Sequence, residues 1–205
     1  MKEFWEERYS EKEFAYGVEP NVFFEKVVKD LKLKGTILLP AEGEGRNAVF
    51  AAKKGLNVTC FDISSQGKMK AEKLATLNNV QINYLVGEFS ELEFEENSFD
   101  VIALIYAHLP SNVKSQYHQE LVKYLKKDGV LILEGFSKKQ LEINKENEKP
   151  FGPPNIEMLY TIEDIQNDFS VLETIELSEE LIELNEGIYH KGKGSVIRFI
   201  GKKNK

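Results

Sequence analysis

What the chain lacks sets its first limits. It has a single cysteine, Cys60, so no disulfide can form within it, and the place of that thiol in an apolar stretch points to packing rather than chemistry. No apolar run is long enough to span a membrane, and the start, Met1 to Arg8, has no apolar core of signal-peptide length. A cytoplasmic location is the default expectation. Positive charge is also short: 27 Lys and Arg face 34 Asp and Glu, a net charge of −7. Such a chain has no field to draw phosphate backbones, so nucleic acid is not expected as a partner. The one basic run, Lys202-Lys203-Asn204-Lys205, reads as a solvated tail. Histidines number three, and no metal site is expected.

The 205 residues suit one domain. Residues 1–34 read as an N-terminal cover and helix, 35–135 as a cofactor-binding core and 136–205 as a C-terminal, substrate-side part. The organising stretch is 36–62. It predicts a strand over Thr36 to Leu39, a glycine turn at Glu42-Gly43-Glu44-Gly45, a helix over Arg46 to Lys54, and a second strand over Asn57 to Phe61 closed by Asp62. Glycines let a backbone turn sharply and approach a ligand, and the helix behind them aims free N–H groups at the same place. Asp62, at the tip of the next strand, is placed to accept hydrogen bonds from a ribose diol. Gly43-x-Gly45-x-x-Ala48 fits the dinucleotide fingerprint, yet a pyrophosphate would meet Glu42 and Glu44, and like charges repel. A ligand with an amino group and a sulfonium has the opposite preference. Glu44 equally fits a solvated turn.

Around this unit, residues 1–19 carry five aromatics among charges, too irregular for one long helix, and are expected to pack over something. Pro20 suits the first position of a helix running to Leu33. Ser64 to Leu77 predicts a helix capped by Ser64 or Ser65, and Gln81 to Val86 a strand. Phe99 to Tyr106 is the continuous apolar run of a strand buried on both faces. A helix follows from Asn112 to Leu125, stopped by Lys126-Lys127-Asp128-Gly129, then a strand over Val130 to Glu134. Residues 149–154, with three prolines and a glycine, exclude regular structure and suit either a lid or a connector. Tyr160 to Asp168 predicts a short helix capped by Thr161. Phe169 to Leu177 and Ser195 to Lys202 predict an antiparallel edge pair.

These residues resemble the first motif of class I S-adenosylmethionine-dependent methyltransferases. Ala41-Glu-Gly-Glu-Gly-Arg-Asn-Ala48, with Tyr16-Gly-x-Glu-Pro-Asn21, Glu186-Gly-x-Tyr-His190, Gly192 and Arg198, resembles the tellurite-resistance, TehB-like branch. The resemblance implies an α/β fold: one Rossmann-like domain with a mostly parallel sheet and a C-terminal antiparallel strand pair. It also implies S-adenosylmethionine as cofactor. The cofactor residues it implies are Tyr16, Asn21, Glu42, Gly43, Gly45, Arg46, Asn47, Asp62, Ile63, Glu88, Phe89 and Tyr106. Glu88 is placed to meet adenine, with Phe89 beside the ring. The chain departs from the pattern at Leu39, where the superfamily commonly has an acid, and at Pro40-Ala41, so the cofactor's amino group falls to backbone carbonyls or to Glu42.

The function implied is methyl transfer to a small-molecule acceptor, such as a thiol or a tellurium or selenium oxyanion. Two alternatives stay open: an NAD-type oxidoreductase, weakened by Glu42 and Glu44, and a non-catalytic cofactor-binding protein of the same fold. His108, His190 and Arg198 are the candidates on the catalytic side. The three glycines of Glu186 to Gly194, with His190, Lys191 and Arg198, are expected to form an acceptor site that draws an anion. Oligomeric state is left open.

Overall fold

The computed structural model describes residues 1–204; Lys205, the end of the basic tail, lies outside the described residues. Five parallel strands come first in the chain: β1 (Thr36–Pro40), β2 (Asn57–Asp62), β3 (Asn83–Val86), β4 (Phe99–Ile105) and β5 (Leu125–Phe136). The last two, β6 (Glu173–Glu186) and β7 (His190–Lys202), form an antiparallel hairpin, and β7 pairs with β5 to give the order β3-β2-β1-β4-β5-β7-β6. The helices are α1 (Lys2–Ser10), α2 (Val22–Asp30), α3 (Arg46–Lys53), α4 (Ser65–Leu77), α5 (Ser111–Tyr124), α6 (Gln140–Ile143) and α7 (Ile162–Asp168). No helix among the described residues is long and apolar enough to cross a membrane.

Alternation along the strands sorts the core into two layers. Ile37, Leu39, Val101, Ala103 and Ile105 face Phe24, Val27 and Val28 of α2 and Ala48 and Ala51 of α3. Leu38, Ile102 and Leu104 face the opposite layer, with Leu121 of α5 and Ile165 of α7. Strands buried on both faces carry apolar residues at consecutive positions, which is why β4 reads as a continuous run. The order reverses between β1 and β4, the switch point at which open α/β sheets form a crevice beyond the strands' carboxyl ends.

Several expected boundaries move, each through contacts distant in sequence. Residues 2–10 do form a helix, and Glu6 of that helix accepts from the Ser65 and Gln66 backbone N–H groups and from both serine hydroxyls, so α1 lies across the start of α4. Pro20 precedes α2 rather than opening it, because the Asn21 side chain accepts from Phe24 N–H and is the cap. Lys126 to Gly129 are not a helix stop but the first part of β5. The residues from Glu179 to Gly194, left between the two expected strands, extend the ladder and turn of the hairpin, with Glu179 opposite Ile197 and Glu186 opposite His190. The basic tail is tied down as well: Lys203 Nζ donates to the carbonyls of Val122 and Leu125 at the end of α5, where a cation meets the helix's negative pole.

Candidate active site

The glycine turn opens at the switch point and its own residues hold it. Gly45 has φ +85, and a Cβ there would stand 2.5 Å from the Ala71 Cβ, so glycine both permits the left-handed turn and lets α3 start against α4. Ala41 takes φ +53, a conformation that costs a side-chain-bearing residue about 1–2 kcal/mol. Asp62 Oδ2 accepts from Gly43 N–H at 3.1 Å and Oδ1 from Ser64 N–H at 3.0 Å. Two of its roughly four lone-pair sites are thereby taken, and the rest suit hydroxyl donors such as a ribose diol. Burial pushes its carboxyl up to about 6, against the pull of those N–H groups. Ile63 follows, half-buried, before the Ser64 cap of α4.

The two glutamates of the turn do not face outward together. Glu42 folds back onto α3, where Oε1 accepts from Ala48 N–H at 2.7 Å and Oε2 lies 3.4 Å from Asn47 Nδ2; burial pushes it up to about 7. Glu44 turns to the N-terminal segment, accepting from Ala15 N–H and pairing with Lys70 at 2.7 Å. A joint repulsion of phosphate by both acids is therefore not what the turn offers. Asn47 Oδ1 accepts from Asn21 N–H.

Beside the turn an apolar cleft is bounded by Pro40, Ala41, Phe61, Phe89, Ala107 and Tyr117. Phe89 stacks on Phe61 with ring centroids 5.9 Å apart and meets Tyr117 edge-on at 4.7 Å. The cleft itself is small, about 30 Å³, and its walls are aromatic and apolar. Glu88 is exposed and caps the short 3-10 turn at Phe89–Glu91, so it stands at the rim rather than in the cleft.

At the other end of the crevice, the hairpin brings together residues far apart in the chain. His190 sits among Tyr16 (4.4 Å between ring centroids), Tyr106 (4.8 Å), Phe136 (5.2 Å) and Phe151 (5.7 Å). Its Nδ1 lies 3.2 Å from Glu186 Oε2, and the same oxygen pairs with Arg46 at 2.9 Å. Arg46 and His190 hold Glu186 down at about 2 despite burial. His190 itself is lowered, because burial disfavours its charged form more than Glu186 favours it. Tyr16 contributes its ring to this cluster, its hydroxyl to Arg8 and its carbonyl to Arg46. Tyr106 has φ +53, an outlier for a bulky residue.

Three expectations change here. His108 is no free base: Nδ1 is 2.9 Å from the Met158 carbonyl, Nε2 accepts from Phe136 N–H, and burial lowers it to about 4. Arg198 is taken up by Glu134 (2.6 Å) and Glu180 (2.5 Å). Asn21 is occupied as the α2 cap and by Glu134 Oε1 at 2.6 Å. Of the three cationic residues expected at the hairpin, Arg198 pairs with Glu134 and Glu180 and His190 lies against Glu186, while Lys191 is exposed. The glycines have another cause as well, since a Cβ on Gly187 (φ +58) would stand 2.4 Å from the Ala15 carbonyl oxygen, so the tip makes room for the N-terminal segment. The loop at 149–154 is pinned: the Asn144 side chain donates to the Phe151 carbonyl and Asn147 bonds Lys193. Glu134 and Phe136 do not stand out in the sequence, the one signal being a charge, Glu134, ending an apolar strand; Glu186 belongs to the hairpin motif, but its pairing with Arg46 is not visible there. A separate polar cleft of about 340 Å³ between α5 and α7 sets Lys114 and Lys138 against Asp164 and Asp168, and shares no lining residue with the turn or the cluster. No metal-binding group of His, Cys, Asp and Glu occurs among the described residues.

Comparison with known proteins agrees with this architecture. A family described as "Methyltransferase domain" matches residues 37–129. The ubiquinone biosynthesis O-methyltransferase of Rickettsia conorii (strain ATCC VR-613 / Malish 7) is 34% identical over 110 residues, 54% of this chain and 37% of the relative. The chain thus spans about a third of the length of the curated relatives it matches. TehB from Haemophilus influenzae superposes with a TM-score of 0.72 at 14% identity, covering 98% of this chain and 66% of that one. Magnesium protoporphyrin IX methyltransferase from Synechocystis PCC 6803, solved with bound SAH, superposes with a TM-score of 0.67 at 16% identity, covering 88% and 80%. The chain therefore shares its fold with these methyltransferases, and the stretch that resembles the methyltransferase domain, residues 37–129, is the part that carries the glycine turn and the first strands of the sheet.

Proposed function

We propose that the protein transfers a methyl group from S-adenosylmethionine to a small-molecule acceptor. One juxtaposition carries the reading: the carboxyl edge of the sheet carries an apolar cleft, a carboxylate with spare lone pairs and a glycine turn on one side, and an aromatic cluster around a buried histidine on the other. That sequence of surfaces suits a purine, a ribose and a short thioether arm in turn. The turn also favours positive charge, because Glu42 and Asp62 are held above their usual range by burial and a cation nearby would relieve the cost of ionising them.

When bound, S-adenosylmethionine supplies an electrophilic methyl group and departs as the thioether. The chain's own part is alignment, which alone lowers a barrier by about 7–11 kcal/mol, and disposal of one proton. With the Nδ1 proton directed at Glu186, His190 presents Nε2 as an acceptor inside the aromatic cluster. Glu186, anchored by Arg46, stabilises the imidazolium that forms. Arg46 also opens α3 behind the glycine turn, so the base is tied to the cofactor loop. An oxygen acceptor is supported by the names of the quinone-biosynthesis relatives; a thiol needs the same proton removal. Titration of the protein with S-adenosylhomocysteine and with NAD tests the reading. Saturable binding of the first with a raised melting temperature, and none of the second, is expected; binding of NAD alone overturns it.

A further inference from the structure

The glycine turn is fixed peptide by peptide, and one of its peptides depends on a residue far outside it. The Glu42–Gly43 peptide is held at both ends, since the Glu42 carbonyl accepts from Gly45 N–H at 3.3 Å and Gly43 N–H donates to Asp62. The next peptide, Gly43–Glu44, has a single hold among the described residues. Its carbonyl accepts from the Tyr84 hydroxyl at 2.5 Å, a buried contact that reaches from β3 to the turn across 41 residues of sequence. Gly67 of α4 closes on the same oxygen, a Cβ there falling 2.9 Å from it, but its N–H is spent on Ser64.

In a planar trans peptide the carbonyl and the N–H point in opposite directions. Tyr84 therefore also sets where the Glu44 N–H points: away from β3 and α4. No group among the described residues accepts from that N–H. Gly43, at φ +58, has no side chain to bias the rotation of this peptide, so its orientation rests on what holds it. Without the phenol the Gly43 carbonyl would be a buried acceptor lacking a donor, a penalty relieved by turning the peptide and carrying the Glu44 N–H with it. Tyr84 is suited to the task. Its ring is buried in the core layer, opposite Cys60 in the ladder, and burial with Asp62, Cys60 and Glu42 nearby pushes the phenol well above its usual range, so it keeps the proton it donates. On the methyltransferase reading above, we propose that Tyr84 is a positioning residue for cofactor binding, which holds the Gly43 carbonyl inward so that the Gly43–Glu44 peptide meets the ligand with its N–H. With adenine assigned to the cleft and the ribose to Asp62, the part of the cofactor left to this peptide is the amino-acid arm.

The test uses the full chain and two probes, S-adenosylhomocysteine and 5′-methylthioadenosine, which shares the nucleoside and the thioether and lacks the amino-acid end. Both are titrated calorimetrically into the wild type and Tyr84→Phe, a variant that keeps the ring and loses only the hydroxyl. S-Adenosylhomocysteine is expected to bind about ten-fold more weakly to the variant while 5′-methylthioadenosine changes by less than about two-fold, because Asp62 and its Gly43 N–H belong to the preceding peptide. In the ligand-free proteins the Glu44 amide resonance is expected to move and the Gly43 resonance to stay. Tyr84→Met, which also lacks the hydroxyl but fills the space differently, is expected to give the same change in the ratio of the two affinities. A Tyr84 that only packs the core would lower the melting temperature and leave that ratio as it is in the wild type. A ratio within about two-fold of the wild type, or an unmoved Glu44 resonance, overturns the proposal. Failure of S-adenosylhomocysteine to bind the wild type counts separately against the cofactor reading, because the ligand-free resonances still decide whether Tyr84 orients the peptide.

Discussion

Two glutamates, the buried Glu42 and the partly buried Glu186, are treated in opposite ways. Glu42 in the glycine turn takes its strongest contact from a backbone N–H, Ala48, and burial lifts it to about 7. Glu186 at the hairpin tip is held by Arg46 and His190 and falls to about 2. Burial acts on both, and the difference is what answers it. At Glu42 the Ala48 N–H, the charge of Arg46 and the Asn47 side chain answer it only partly, while at Glu186 the His190 hydrogen bond and the direct Arg46 pair overcome it. The turn half is thus left wanting positive charge. The hairpin half has already neutralised itself, so a cationic cofactor is suited to the turn.

The largest break in this contrast is Glu186→Ala. It leaves Arg46 buried without its partner and His190 without its anchor, and should cost about 3–5 kcal/mol in denaturant unfolding. A loss below 1 kcal/mol would show that the pair carries little. Next comes Gly45→Ala, which asks for a left-handed alanine and pushes a methyl into Ala71; about 2–4 kcal/mol is expected, with S-adenosylhomocysteine binding lost. Wild-type affinity in a folded Gly45→Ala protein would separate the turn from the ligand site.

The turn half is legible in the sequence because its information is local. The Thr36 strand, the Arg46 helix, the Asn57 strand and the Ser64 cap all fall within one residue of where the pattern puts them. The hairpin half is not. Strands β6 and β7 run to 14 and 13 residues because each supplies the other's backbone partners, and no periodicity in a glutamate-rich stretch announces that pairing. The same reason hides Glu134 and makes His108 and Arg198 look free. A basic or imidazole side chain reads as available until the carboxylate or carbonyl that claims it, 64 residues away for Arg198 and 50 for His108, is placed beside it. Asp62 is legible as a position, while its two backbone donors are not.

Smaller effects sharpen the comparison through pH. Glu42 is raised in the folded protein, so stability is highest below about 4.5 for this group and falls as pH rises toward 7, by at most roughly 3 kcal/mol. Glu186 is lowered, so its contribution is present above about 4.5 and is lost as pH falls toward 2. Glu42→Gln keeps an oxygen for Ala48 N–H and should abolish the first slope, raising the melting temperature at pH 8 relative to the wild type and not at pH 4.5. An unchanged difference between the two pH values would mean that Glu42 ionises without cost. The smallest expected effect is on ligand affinity: S-adenosylmethionine, which carries the sulfonium, should bind several-fold tighter at pH 7.5 than at pH 5.5 as Asp62 and Glu42 ionise. A flat titration would remove the turn's acids from the recognition of positive charge.

The central claim is that the two halves meet at one reacting centre, and a crystal soaked with S-adenosylhomocysteine tests it most directly. The account predicts adenine in the cleft of Phe89 and Ala107, the ribose hydroxyls on Asp62, and the sulfur turned toward Tyr106 and His190. A ligand seated instead in the polar cleft of Lys114 and Asp168, or a sulfur turned away from His190 with the ribose off Asp62, would contradict it.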